Sequence, residues 1–150
     1  MKKSKNKSPI STEIAPGLLS GDLDAVPALK IFENKSVEDV VSYLLNEAKN
    51  PYDIFEYFYF MSSSAFRFYF PVFEKYIIQD YQKNSEIDDV FIWALLKLVE
   101  VRQVEILEHN VDFSSLRNRL NIIIPELVNR DKSSEVTELG ILWERIKTKI

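Results

Sequence analysis

The side chains able to do chemistry in this 150-residue chain are mostly carboxylates, arginines and tyrosines. There is one histidine, His109, and no cysteine, so disulfides, thiolate nucleophiles and cysteine metal sites are all excluded. Glu105 stands four residues before His109 and Glu108 beside it. A di-iron helical bundle needs two Glu-x-x-His motifs, and the chain has none. A zinc site here would take most of its ligands from carboxylates, against the metal's preference for nitrogen and sulfur. No metal and no other cofactor is expected. Nucleophilic catalysis has no better footing. There is no Gly-x-Ser-x-Gly elbow, and Ser62-Ser63-Ser64 has no base near it in sequence, so it reads as a turn and helix cap. With 3 glycines in all, no phosphate-cradling loop is present.

Two sets of residues remain. Arg67 sits within Ala65-Phe66-Arg67-Phe68-Tyr69-Phe70-Pro71, and a charge among aromatics needs a partner. Arg67 with Tyr69 and a nearby carboxylate would make a small-molecule site, the enzymatic alternative. A stacked arginine paired with Asp53 or Glu56 is the structural reading, and it is the favoured one. The second set is acidic. Glu86, Asp88, Asp89, Glu100, Glu105, Glu108 and Asp112 bracket a central apolar helix and its exit, and Glu135, Glu138 and Glu144 follow on the last helix. Carboxylates gathered on one face steer and bind a basic partner; an ordinary solvated helix surface is the competing reading.

The charge distribution favours such a partner. The net charge is −4, although the first seven residues hold Lys2, Lys3, Lys5 and Lys7 with no acid, so the remainder is more acidic than the total. A body of that sign repels phosphate backbones, which excludes a general nucleic-acid binder. The basic amino terminus is not followed by an apolar run long enough for a signal peptide. Other apolar runs are too short to span a bilayer. A cytoplasmic protein without membrane association is the expectation, and the sequence leaves its oligomeric state open.

The elements that must position these residues follow from hydrophobic spacing. Residues 1–24, with Pro9, Pro16, Gly17 and Gly21, read as a flexible polar tail. Residues 25–150 read as a single all-α domain of about five to seven helices. Residues 26–32 form a short helix with Pro27 in its first turn. Ser36 caps a helix whose core stripe is Val37, Val40, Val41, Leu44, Leu45 and Ala48, ended by Asn50-Pro51. Residues 52–81 hold most of the aromatic side chains and should form the centre of the core. They divide at the serine cluster, capped by Ser62 or Ser63, and a strand over 55–61 is an alternative. Pro71 should kink or restart the second piece.

The next helix carries Ile87, Val90, Phe91, Ala94, Leu95, Leu98 and Val99 as its stripe. Ile92, Trp93 and Leu96 widen that stripe, so burial on more than one side is expected, with an end near Leu107. His109-Asn110 marks a turn. A helix through Leu116, Leu120, Ile123, Leu127 and Val128 should kink at Pro125. Ser134 caps a last helix lined by Val136, Leu139, Trp143, Ile146 and Ile150. Within it Gly140 predicts close approach of a neighbour.

The stretch Phe58-x-Phe60-x-Ser62-x-x-Ala65-Phe66-Arg67-Phe68-Tyr69-Phe70-Pro71 resembles a pattern in small helical bacterial proteins, where a serine, Ala-Phe-Arg and an aromatic-Pro sequence join two helices. In size, acidity and lack of catalytic motifs the chain is similar to immunity proteins of bacterial toxin systems, including contact-dependent growth inhibition. That likeness implies a cytoplasmic inhibitor that masks a cognate basic toxin domain, often a nuclease. It implies no catalytic residue.

Overall fold

The computed structural model describes residues 30–84, 88–108 and 111–150. The expected tail over 1–24, most of the short helix over 26–32, Glu86, Ile87 and the His109-Asn110 turn lie outside the described residues. The all-helical expectation is borne out. Eight α-helices and one 3-10 turn follow the helical residues 30–32, and no strand is present among the described residues. The backbone groups into two compact units, one ending at Tyr76 and one spanning Ile77–Ile150.

In the first unit, Ser36 and Asp39 exchange hydrogen bonds to open α1 (Val37–Asn46): Asp39 N–H donates to Ser36 Oγ and Ser36 N–H to Asp39 Oδ2. This reciprocal cap satisfies two donors that a helix start leaves without partners. Asn50 accepts from Tyr52 N–H and starts the 3-10 turn Pro51–Asp53. Helices α2 (Ile54–Phe60) and α3 (Ser63–Tyr69) follow, the latter capped by Ser62. The strand alternative over 55–61 is therefore replaced by helix. Pro71 takes the first position of α4 (Pro71–Asn84), where its missing N–H costs nothing, and so produces a restart.

The aromatic stretch forms this unit's core. Phe32, Phe58, Phe66, Tyr69 and Phe73 are all fully buried. Phe58 and Phe73 rings lie 4.5 Å apart in a tilted pair, and Phe55 stacks on Phe73 at 5.3 Å. Phe32 reaches into the same cluster, 4.9 Å from the Tyr69 ring. Phe60, by contrast, is exposed, as is Tyr81 in the second unit's part of α4.

The second unit contains the end of α4 and four further helices. Asp88 accepts from Phe91 N–H to cap α5 (Asp89–Val101). The expected run to Leu107 is broken at Arg102, whose backbone (φ −104°, ψ 28°) leaves the helical region before α6 (Gln103–Glu108) resumes. Arg102 is buried, and its Nε donates to Glu105 Oε1 at 3.0 Å. The breaks at Phe70 and Arg102 raise the helix number above the expected range. Pro125 does not interrupt α7 (Ser114–Arg130). A three-residue connector then returns the chain antiparallel as α8 (Ser134–Lys147). Ser133, rather than the expected Ser134, caps it by accepting from Val136 N–H.

Gly140 has the predicted close neighbour: a Cβ there would stand 3.2 Å from Val128 Cγ2. The buried Trp143 indole donates to Asn121 Oδ1 at 3.0 Å, so its polar end is satisfied across the α7–α8 hairpin. Among the described residues, no helix is long and apolar enough to cross a membrane.

Candidate functional site

Helix α5 buries Phe91, Ile92, Leu95, Leu96, Leu98 and Val99. With a 3.6-residue period, that choice of inner face turns Val90, Trp93 and Lys97 outward as one row. Val90 and Trp93 are 56% and 44% exposed, which corrects their placement in the core stripe and its widened edge. Helix α8 similarly buries Val136, Leu139, Leu142, Trp143 and Ile146 and leaves Ile141 62% exposed.

The two outward rows border a groove. Its first part has a volume of about 290 Å³ and is lined by Asp89, Val90, Trp93, Glu135, Glu138 and Leu139. The adjoining part, about 240 Å³, shares Trp93 and Glu138 and continues to Lys97, Ile141 and Arg145. Residue numbers rise together along both walls, so α5 and α8 run parallel. The Glu100–Arg145 pair fixes the same register at the far end.

This parallel arrangement separates charge along the groove. Towards the helix starts the groove is lined by Asp89 and Glu135, each in a first helical turn where it suits the positive dipole end, and by Glu138 one turn further on, which lines both parts of the groove. Towards the helix ends, Arg145 Nε and Nη2 hold the two Glu100 oxygens at 2.9 and 3.0 Å, and Lys97 Nζ lies 3.6 Å from the same carboxylate. The Arg145 hydrogen bonds, with Lys97 adding to them, hold the Glu100 carboxyl below its ordinary pKa. Lys97 Nζ also lies over the Trp93 ring, 5.6 Å from its centre, a cation–π contact. The result is an apolar floor with a negative end, and a positive end where two cations share one carboxylate.

Of the acidic residues read from the sequence, Asp89 comes together with Glu135 and Glu138 at the negative end. Glu100 lies at the opposite end. Asp88 is used as the α5 cap, Glu105 pairs with Arg102, and Asp112 accepts from the backbone N–H and Oγ of Ser114. Glu108 is exposed at the end of α6, and Glu144 pairs with Lys147 at 2.8 Å. Glu86 lies outside the described residues.

Arg67 and Tyr69 face different surroundings. Arg67 is exposed, because α3 turns Ala65, Phe66 and Tyr69 inward instead. Tyr69 is fully buried, with its hydroxyl between the Phe32 and Lys35 carbonyls. Among the described residues, no group of three or more metal-ligating side chains is placed to hold an ion.

Sequence reasoning missed the exposure of Trp93 and Ile141. The available signal was Lys97, which shares the Trp93 row and marks it as an outer one, together with the position of Ile141 off the α8 stripe. Comparisons with protein-family models, curated proteins and solved structures find no match to this chain.

Proposed function

We propose that this chain is a protein-binding inhibitor of the immunity type, which masks a basic toxin domain by seating part of it in the α5–α8 groove. The observation that supports this reading is the exposed Trp93, flanked by Val90 and Ile141 and bordered by Asp89, Glu135 and Glu138. A large aromatic in a partly desolvated groove is the kind of residue that dominates binding energy at interfaces. The adjoining carboxylates favour a cationic partner and speed its encounter. On this reading the protein acts by occupancy and turns over no substrate.

The test is capture of partners from the source cells with the full chain as bait, eluted along a salt gradient. A basic protein released at moderate salt, retained by the wild type and lost by Trp93→Ala, supports the proposal; a nuclease assay on that protein then addresses its activity. Salt sensitivity is expected because the steering charges are exposed. Equal capture by Trp93→Ala and by Glu135→Lys/Glu138→Lys, with melting temperatures unchanged, would sink the assignment of this groove.

A further inference from the structure

The charge separation along the groove carries information about the shape and direction of what binds there. From Asp89 to Lys97 the α5 wall rises eight residues, ~12 Å, or a little over two helical turns. Across that length Asp89 and Glu135 mark one end and Lys97 and Arg145 the other, while Val90, Trp93, Leu139 and Ile141 form an apolar strip between them, edged by Glu138 where the two parts meet. The walls are themselves two parallel helices. A third helix laid between them would contribute its own ridge of side chains to the groove, as helices pack on one another elsewhere in proteins.

Direction follows from electrostatics. A helix is stabilised by acids in its first turn and by lysine or arginine in its last, because of its dipole. Only one orientation brings the cationic last turn to Asp89, Glu135 and Glu138 and the acidic first turn to Lys97 and Arg145. It is the orientation antiparallel to α5 and α8. The same orientation places the occupant's negative dipole end against the positive starts of both wall helices. Side-chain charge and backbone dipole agree.

We infer that the groove receives a single amphipathic helix of the partner, running antiparallel to α5 and α8, with its lysine- or arginine-bearing last turn over Asp89, Glu135 and Glu138. This inference rests on the groove being the binding site and adds the secondary structure, direction and charge order of the bound segment.

The probes are two fluorescein-labelled synthetic peptides of the same composition, each about four turns long and side-chain stapled so that their helicity is equal. Both carry leucines at i, i+3, i+4 and i+7. One has glutamates in the first turn and lysines in the last; the other has them reversed. Fluorescence anisotropy against the full chain should show the first binding about tenfold more tightly. Trp93→Ala should weaken both peptides by a similar factor, and Glu135→Lys/Glu138→Lys should remove the preference between them. Equal affinities, or a preference for the reversed peptide, overturn the inferred direction; a Trp93→Ala loss common to both then leaves the groove itself standing. Failure of both peptides to bind overturns a helical occupant. The groove assignment is judged separately by capture of the native partner with Trp93→Ala. Circular dichroism melts of each variant separate lost binding from lost folding.

Discussion

The hydroxyl of Tyr69 lies 2.8 Å from the backbone carbonyl of Phe32, 37 residues earlier in the chain, and 2.7 Å from that of Lys35. Between those two carbonyls Asn34 adopts a left-handed backbone, φ 57°, a conformation that asparagine tolerates better than most residues. The turn is closed locally by one bond, Lys35 N–H to the Phe32 carbonyl at 3.0 Å. Tyr69 supplies the long-range tie that holds this turn against the aromatic core.

Tyr69→Phe keeps the ring and removes that tie. The Phe32 carbonyl retains its bond from Lys35 N–H, whereas the Lys35 carbonyl loses its tyrosine donor. The expected cost is about 1–3 kcal/mol in urea unfolding, with faster proteolysis near residues 32–35. Unchanged stability would mean that water replaces the hydroxyl without loss.

The buried ion pair at the break between α5 and α6 gives a second prediction. Arg102 is buried and its partner Glu105 is largely so. Glu105→Gln removes the carboxylate that pairs with the buried guanidinium and should destabilise by roughly 3 kcal/mol. The double change Arg102→Met/Glu105→Leu removes both charges together and should recover most of that loss. A double variant no more stable than Glu105→Gln in a denaturant series would contradict the coupling.

These contacts mark where the sequence was legible. The Ser36 cap, the aromatic core, the restart at Pro71 and the Gly140 contact follow from local rules: a side-chain acceptor before a helix, area burial, a missing N–H and a missing Cβ. The groove is not local. Val90 and Trp93 have the apolar character of their neighbours on α5, and only the arrival of α8 in parallel decides which row is covered. The exposure of Arg67 was hidden for a related reason: Phe66 and Tyr69 beside it in sequence turn inward while Arg67 does not. The acidic residues were legible as a charge excess. Their roles as cap, ion pair or groove edge depend on partners far away in sequence, as Glu100 and Arg145 show.

Acid should expose the Glu100–Arg145 link. The Glu100 pKa is lowered in the folded protein, chiefly by the Arg145 hydrogen bonds. A lowered folded value means that the stabilisation is complete above the unfolded-state pKa and is lost as pH falls through the folded one. Glu100→Gln should therefore cost up to ~1 kcal/mol near neutrality, the range for a partly exposed pair. That difference should vanish below the folded pKa, where the wild-type carboxyl is also protonated. Urea midpoints from neutral pH down into the acid range measure it, and a pH-independent difference would rule out the ionic origin.

The α7–α8 contact at Gly140 permits a test in which two effects oppose. Alanine is favoured over glycine in a helix by about 1 kcal/mol, but its Cβ would meet Val128 Cγ2 at 3.2 Å, closer than comfortable packing. Gly140→Ala alone should therefore change stability little, with the propensity gain offset by displacement of Val128. Removing the obstruction separates the terms. In a Val128→Ala background, itself destabilised by lost packing, Gly140→Ala should stabilise by close to the full propensity difference. A coupling of about 0.5–1 kcal/mol in the double-mutant cycle is the expected result, the size typical of side chains in direct contact. Zero coupling would show that Val128 turns away at no cost, and that the glycine is not required for the approach of α7 to α8.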